Sequence, residues 1–450
     1  MTANTRPIRP ANIAPAHATG QPFLALGALL TIAVFVGGGG VGYGLFNLAV
    51  QLAALSALAV NFKAFGRFWG TAPQALRALV CCTLALPLLQ LVPLPPSVWQ
   101  ALPGRELIVE AFQMAADRDG WFPLSVAPHR TLVAASGLIV PFAVLVLGWS
   151  VTRQDLPRLV MLIVLLGLVN FVWGIPQVLA NGGAGILYPE NAMPGVLFGG
   201  FANRNSTGIF LVCCLCFMAG MRWHDASSRT LFVRVTVAFV LVLAIILTRS
   251  RSAIVLAALP LLLMLIRTGS GWLADRRLIV LTAVAVAAIA ALAVFAPQSR
   301  LSDAAARFAQ TEDARERIWE DAQFAASRYW PVGSGMGTFD EVFQVDESLE
   351  NLSPRRAGRA HNDFLEIAVE AGLPGLALAS VWLAFLVFLA WRARTSPDRW
   401  LGWSGATALL CLALQSMLDY PLRSQAVLAL AAFALLVLAR SAWRGGEVPA

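Results

Sequence analysis

Long apolar runs alternate with short polar connections along most of the chain, and each run is about as long as a membrane-spanning helix. A helix that rises 1.5 Å per residue needs roughly 20 apolar residues to cross about 30 Å of hydrocarbon. About twelve such spans are predicted, at 22–40, 44–61, 75–94, 131–150, 157–180, 206–221, 231–248, 252–267, 278–296, 364–391, 401–418 and 424–440. The pattern therefore predicts an all-α integral membrane protein with about twelve transmembrane helices.

One long hydrophilic interruption divides this array. It predicts a large loop over 297–363 that contains short helices, with spans one to nine over 22–296 before it and spans ten to twelve over 364–440 after it. Residues 1–21 and 441–450 form the terminal tails. The first apolar run is predicted to be a retained helix, because no convincing small-residue cleavage site follows it.

Basic residues occur in alternate short connections, which orients the chain by the positive-inside rule. The connections with at least two positive charges contain Arg6 and Arg9; Lys63 and Arg67; Arg153 and Arg158; Arg222 and Arg229; Arg267, Arg276 and Arg277; Arg392, Arg394 and Arg399; and Arg440 and Arg444. Both termini are therefore predicted to be cytoplasmic. The large loop then lies outside the bacterial inner membrane, in the periplasm of a Gram-negative cell.

Composition excludes a soluble globule, since 58% of the residues are hydrophobic, 13% are charged and the mean hydropathy is +0.70. The orientation rule explains most of the net charge of +8, so membrane lipids and not nucleic acid are the expected surroundings. All six cysteines lie in apolar segments without metal-ligand spacing. We interpret them as small buried side chains and predict neither a metal nor a cofactor.

Three groups of arginines lie at predicted outer ends of spans, where a charged cluster is a candidate functional site. Asn203 and Arg204 precede the sixth span, Arg249 and Arg251 separate the seventh and eighth, and Arg315 and Arg317 begin a helical segment of the large loop. Guanidinium groups bind phosphate through paired donors and stay charged in a poorly solvated site. The pattern favours a metal-free diphosphate site, and contact with lipid headgroups is the alternative.

A second candidate begins at His361, where a helix is predicted to start at the outer face. Asn362 can cap that helix, and a neutral imidazole can take a proton from a hydroxyl while a neighbouring acid orients it. A structural role for a lone histidine is the alternative. Asp363, Glu366 and Glu370 form an acidic stripe that enters an apolar span, and packing alone does not explain such a stripe.

The glycine-rich run Gly333–Gly337 lacks the preceding strand and the lysine of a nucleotide-binding loop. We interpret its glycines as permitting a sharp turn back toward the membrane, or the approach of backbone N–H groups to a ligand.

Taken in order, the motifs resemble the O-antigen ligase and polymerase superfamily of polytopic glycosyltransferases over about residues 130 to 420. The resemblance rests on Phe201-Ala-Asn-Arg-Asn205, Ser250-Arg-Ser252, Arg315-x-x-Ile-Trp319, Pro331-Val-Gly-Ser-Gly-Met-Gly-Thr-Phe339 and His361-Asn-Asp-Phe-Leu-Glu366 with Gly372 and Gly375. It implies metal-independent, inverting transfer of a glycan from an undecaprenyl diphosphate carrier to an acceptor hydroxyl.

The resemblance also implies residue roles. His361 becomes the general base, and Arg204, Arg251 and Arg315 become contacts of the diphosphate or glycan, with Arg249 and Arg317 in neighbouring roles. Asn203, Asn362 and Glu366 complete the predicted substrate contacts.

Three functions remain open at this point. The first is a ligase that joins a lipid-carried O-antigen or related polysaccharide to lipid A–core, and the second is a polymerase whose acceptor is the growing lipid-linked glycan. A transporter is the alternative from another class, and it would place polar residues through several mid-span positions. A structural scaffold, the last alternative, would tolerate substitution of His361 or Arg315.

Overall fold

The computed structural model of the protein describes residues 20–40, 42–115, 120–180, 187–188, 193–221, 228–269, 315–351 and 358–443. Its helices in the first half are α1 (Gly20–Val36), α2 (Gly44–Val60), α3 (Lys63–Thr71), α4 (Gln74–Leu89), α5 (Pro96–Trp99), α6 (Glu106–Met114), α7 (Pro128–Gly137), α8 (Ile139–Trp149) and α9 (Leu156–Leu179). In the second half they are α10 (Arg204–Gly220), α11 (Ser228–Leu247), α12 (Arg251–Leu256), α13 (Ala258–Gly269), α14 (315–328), α15 (Phe339–Asp346), α16 (Asp363–Ala393), α17 (Arg399–Ser416) and α18 (Gln425–Ala442). Two short strands, β1 (Pro93–Leu94) and β2 (Phe122–Pro123), pair antiparallel.

The helices identify a multi-pass membrane protein. Within the described residues, 6 helices are long and apolar enough to cross a membrane: Gly20–Gly39, Pro128–Trp149, Leu156–Leu179, Arg229–Leu247, Asp363–Ala393 and Gln425–Ala442. The bent pair α2 and α3, which turns by 85°, raises this to 7. Shorter helices coincide with other predicted spans, whereas the predicted span 278–296 lies outside the described residues. The all-α membrane class is therefore confirmed, and the total of twelve spans stays a prediction.

The last helix, α18, lies at the centre of the bundle. It contacts α1, α8, α10, α16 and α17, and 89% of its apolar window is buried. A helix that is apolar on every side is suited to such a position, and its many alanines allow close approach of its neighbours. At its end, Arg440 donates to the carbonyl oxygens of Trp149 and Val151 at 3.1 and 2.9 Å.

The predicted cytoplasmic connections lie at one end of the bundle, and the predicted periplasmic connections lie at the other. At one end, predicted cytoplasmic segments meet, since Arg392 Nε donates to the Ala442 oxygen at 3.0 Å and Arg153 donates to the Trp443 oxygen. At the other end, the glycine-rich link after α1 meets the segments before α10 and α18. There Ala202 N donates to the Gly38 oxygen at 3.1 Å. This segregation agrees with the predicted alternation, and the side on which each end lies stays a prediction.

The described part of the large loop forms a small layer over this second end. Its own core contains Ala322, Tyr329, Phe339, Val342 and Phe343, which are all buried. The buried Arg105 guanidinium, from the segment between α4 and α7, donates to the Gly333 oxygen at 3.0 Å and also to the Leu124 oxygen. The loop is thereby fixed to a neighbouring connection and does not stand alone.

Candidate functional site

The segment before α16 holds His361 in an unusual backbone conformation. His361 has φ +50°, a left-handed value that is uncommon for a residue other than glycine. Asn362 Oδ1 confirms the predicted cap by accepting from the first N–H groups of α16 at 3.0 and 3.2 Å. On the other side, Ala360 N donates to Glu366 Oε1 at 3.1 Å, and Trp319 Nε1 donates to the Ala360 oxygen at 2.8 Å. Hydrogen bonds on both sides therefore hold the strained residue in place.

The imidazole of His361 is paired with a buried carboxylate that sequence reasoning missed. Its Nδ1 lies 3.2 Å from Asp419 Oδ1, and the Tyr420 ring lies 5.0 Å from the imidazole, centroid to centroid. The His361 side chain is 33% exposed, whereas that of Asp419 is 3% exposed. Asn205 Nδ2 donates to the other Asp419 oxygen at 2.7 Å. An Nδ1–H directed at this carboxylate leaves Nε2 as the nitrogen that can take a proton.

The surroundings keep Asp419 charged. Burial alone would raise the pKa of Asp419, but the hydrogen bond and charge of His361 and the hydrogen bond from Asn205 hold it below the ordinary value. Burial raises the pKa of the neighbouring Tyr420 to about 12, so its hydroxyl stays protonated. The pair therefore joins a fixed anion to a partly exposed imidazole.

Four of the five arginines predicted from the sequence as site residues lie close together. Arg204 is the first residue of α10, and the positive charges of Arg251, Arg249 and Arg315 all act on its guanidinium group. Arg315 is half-buried at the start of α14, while Arg317 is exposed on the same helix. Like charges gathered in this way repel one another unless an anion lies between them. The cluster Arg204, Arg249, Arg251 and Arg315, called the arginine cluster below, is therefore suited to an anionic ligand.

Amide side chains of α9 hold the segment that leads into this cluster. Gln177 Oε1 accepts from the backbone N–H groups of Phe198 and Gly199 at 2.9 and 2.8 Å, and its Nε2 donates to the Gly199 oxygen at 3.0 Å. Asn170 Oδ1 accepts from Gly200 N at 3.0 Å. Asn203 then caps α10 by accepting from Asn205 N at 2.8 Å. The predicted contact Asn203 thus positions the Arg204 backbone.

The acidic stripe of α16 is paired with basic residues outside that helix. Arg423 Nη2 lies 2.7 Å from Glu366 Oε2 and 3.0 Å from Glu370 Oε2, and its Nε lies 3.7 Å from Asp363 Oδ1. Arg359 Nη1 lies 3.2 Å from the same Glu366 oxygen. Burial alone would lower the pKa of Arg423, but the three carboxylates raise it above its ordinary value. Ion pairing therefore explains the stripe, and both oxygens of Glu366 already accept from protein groups.

The glycine-rich run connects the large loop to α16 through backbone hydrogen bonds. Ser334 N donates to the Val369 oxygen at 2.9 Å, and Gly335 N donates to the Glu370 oxygen at 2.8 Å. These carbonyls lie just before Gly372, where α16 is kinked with φ +54°. A Cβ on Gly372 would lie 2.1 Å from the backbone oxygen of Pro331, two residues before the run. The glycines therefore permit contact between two backbones, and two of the run's N–H groups are bound by helix carbonyls.

A cavity of about 720 Å³ opens beside His361. The cavity-lining residues that the sequence predicted are Asn203, Arg204 and His361. The other polar or charged ones are Arg130, Ser206, Asp340, Arg359, Tyr420, Arg423 and Ser424. Glycines of the link after α1 line the same space.

Asp419 and Arg423 had a signal in the sequence that was not used. Both lie in the short link between α17 and α18, which the predicted topology places on the same side as His361. Charged residues in so short a link between apolar spans are candidates for ion pairs with other charged groups at that side. Among the described residues, no group of three or more His, Cys, Asp or Glu side chains is arranged to hold a metal ion.

The fold and the site together define a helical membrane protein with a histidine–aspartate pair and a cluster of arginines at one end. Residues 236–380 match the protein family described as O-antigen ligase, which confirms the resemblance over that segment. The match supports placing the chain in the O-antigen ligase superfamily, a family of ligases and polymerases of the glycosyltransferase type. A comparison with curated proteins gives no match. The matched segment includes Arg249, Arg251, Arg315 and His361.

Proposed function

We propose that the protein transfers a glycan from an undecaprenyl diphosphate carrier to an acceptor hydroxyl at the periplasmic face of the inner membrane. The observation that carries this proposal is the His361–Asp419 pair, which lies at a cavity also lined by Arg204 of the arginine cluster. The pair supplies a base, and the cluster supplies charge for a diphosphate. The family match supports the same class of reaction.

His361 acts as the general base in this proposal. Asp419 accepts Nδ1–H, so Nε2 is free to take the proton of the acceptor hydroxyl as the oxygen attacks the anomeric carbon of the donor glycan. The new glycosidic C–O bond forms while the bond from the anomeric carbon to the diphosphate oxygen breaks. The electron pair of that bond leaves with undecaprenyl diphosphate. A single displacement from the opposite face inverts the anomeric configuration.

The arginine cluster stabilises the leaving group. Negative charge grows on the diphosphate as its bond to the sugar breaks, and fixed guanidinium groups in a poorly solvated site favour that change. Arg204, Arg249, Arg251 and Arg315 supply this charge from three separate parts of the chain. We therefore propose a reaction that needs no metal ion.

We propose ligation of O-antigen or a related polysaccharide to lipid A–core as the first choice of reaction. Polymerisation of lipid-linked repeats is the second choice, because it uses the same donor chemistry and differs only in the acceptor. A transporter is the alternative from another class. The collection of charged side chains at one end of the bundle favours an enzyme over a permeation path through the spans.

The decisive experiment compares cells whose only copy carries His361→Ala with cells that carry His129→Ala. His129 is an exposed histidine on α7 and serves as the matched control. Lipopolysaccharide is resolved on a gel, and the lipid-linked pool is extracted from the same cells. With His361→Ala, we expect long glycan to disappear from lipid A–core and to accumulate on the carrier.

Two other outcomes change the proposal. If His361→Ala leaves only single repeats on both lipids, the protein is a polymerase. A wild-type gel and a wild-type lipid pool would remove His361 from the mechanism and favour transport. Equal membrane levels of both variants are required for the comparison.

A further inference from the structure

A closed ring of contacts surrounds the proposed base. His361 is hydrogen-bonded to Asp419, and Arg423 lies four residues further along the same segment. Arg423 in turn forms an ion pair with Glu366. Glu366 Oε1 then accepts from Ala360 N at 3.1 Å, which returns the ring to the residue before His361. We call Arg423, Glu366 and the Ala360 N–H group the brace. It joins the two segments that supply the imidazole and its carboxylate.

Burial makes the brace costly as a source of stability alone. Glu366 and Glu370 have 0% exposed side chains, and the Arg423 side chain is 14% exposed. Removing charges from water opposes folding, and a buried ion pair is often no more stabilising than well-packed apolar side chains. Such a pair does fix the relative position of two segments, because both of its charges must meet. The arrangement therefore suits positioning.

The backbone conformation at His361 explains why the two segments must be held in position. A left-handed φ of +50° on a histidine persists only where the surroundings hold it. Glu366 holds the preceding N–H group, and Arg423 fixes Glu366 in turn. If Arg423 is removed, both Glu366 and the Asp419 segment lose a partner at once.

We infer that Arg423 is a positioning residue, which holds the Asp419 segment against the His361 segment through Glu366 and Glu370. The inference rests on the proposed function for its kinetic test, since it assigns a role in the same transfer reaction. Arg423 acts through the orientation of the imidazole and does not itself bind the donor diphosphate.

The charges around Arg423 support this role over direct binding of the diphosphate. Two guanidinium groups, those of Arg359 and Arg423, face the three carboxyl groups of the α16 stripe. An anion gains little at a place where acids already equal or outnumber bases. In the arginine cluster, in contrast, three positive charges and only one carboxylate, that of Asp419, act on Arg204.

The test uses the full chain in lipid nanodiscs with a lipid-linked glycan donor and its acceptor. Arg423→Met is compared with Arg440→Met, which removes a buried arginine from the other end of α18 together with its two hydrogen bonds. For Arg423→Met we expect kcat to fall about tenfold or more, with the donor KM within about threefold of wild type. Arg440→Met should leave both values near wild type, and Arg423→Lys should recover part of the lost kcat.

A double variant separates positioning from a general structural effect. If Arg423 acts through the His361–Asp419 pair, Asp419→Asn with Arg423→Met should be no slower than the slower single variant, within about threefold. Multiplied losses would overturn the inference. A raised donor KM with unchanged kcat would also overturn it, because that result indicates direct contact with the donor.

A second measurement needs no substrate. The rate at which diethyl pyrocarbonate modifies His361 is read by peptide mass spectrometry, with exposed His129 as the internal reference. We expect the His361 rate to rise about threefold or more in Arg423→Met and to stay unchanged in Arg440→Met. Equal rates in both variants would overturn the inference even if glycan transfer is observed. If the wild-type protein transfers no glycan, a raised His361 rate in Arg423→Met would support the brace and refute the proposed function.

Discussion

Replacing Asp419 by asparagine tests the proposed base with a change of almost no volume. The carboxylate accepts at both oxygens, from His361 at 3.2 Å and from Asn205 at 2.7 Å. An amide offers one oxygen and one NH₂ group, so one of these two donors must lose its acceptor. If the NH₂ group faces His361, the ring takes the tautomer that is protonated on Nε2. That tautomer cannot accept the hydroxyl proton.

The expected loss follows from the role of the pair. General-base catalysis contributes roughly 10²- to 10⁴-fold to a rate, and we expect Asp419→Asn to remove most of it. At 1.36 kcal/mol for each factor of ten, this is about 2.7 to 5.4 kcal/mol of transition-state stabilisation. The assay is glycan transfer by purified enzyme at saturating donor. A loss of less than about tenfold, with the variant folded, would refute the reasoning.

The pH dependence of Asp419→Asn provides a separate check on the charge. The pKa of Asp419 is held below its ordinary value of about 3.9, so the carboxylate favours the folded protein above that pH. This contribution is lost only as the pH falls through the lower, folded-state pKa. Wild type should therefore melt at a higher temperature than Asp419→Asn at every pH from about 5 to 8. A difference that vanishes or reverses within that range would contradict a charged Asp419.

Three further predictions test the arginine cluster, the kink and the cap. Arg315→Ala should lower kcat/KM about tenfold more than Arg317→Ala, because the charge of Arg315 acts on Arg204; equal losses would contradict the cluster. Gly372→Ala should lower the melting temperature strongly, since the strained backbone costs about 1–3 kcal/mol before the new methyl group meets a backbone oxygen at 2.1 Å. Asn362→Ala should cost about 1 kcal/mol of unfolding free energy and Asn362→Asp much less, as measured by thermal unfolding; equal costs would show that the cap is not needed.

Helix positions were predictable because apolar length is a local property of the sequence. Helices lie at the predicted spans that the structure describes, although α4 ends at Leu89 and β1 takes the end of the predicted span 75–94. The apolar α18 begins within a residue of its predicted start. The bend between α2 and α3 falls at the predicted end of the span 44–61, but its angle of 85° and the helical form of the connection after it were not predicted, since they depend on contacts with other helices. The central position of α18 could not be predicted from hydropathy either, because hydropathy measures how apolar a helix is and not which helix the others enclose.

The residues of the candidate site likewise divide into those that local sequence predicted and those that depend on tertiary contacts. Local motifs pointed to His361, Arg204 and Arg315, whose surroundings are unusual within a few residues. The partners Asp419 and Arg423 were missed because pairing is a tertiary property, and Asp419 lies 58 residues from His361 along the chain. The stripe that contains Glu366 was noticed as unexplained by packing, and its explanation needed Arg423. The sequence thus located the proposed base more readily than the residues that contact it.

The central place of α18 has a consequence for how the protein is made. The ribosome delivers this helix after all the other described helices, yet it occupies the middle of the finished bundle. The earlier helices therefore reach their final packing only when the hairpin of α17 and α18 is inserted among them. That hairpin also brings Asp419 and Arg423, so a nascent chain already holds His361 before it holds either partner. Insertion of α18 would then be the step that fills the centre of the bundle and fixes both partners beside His361.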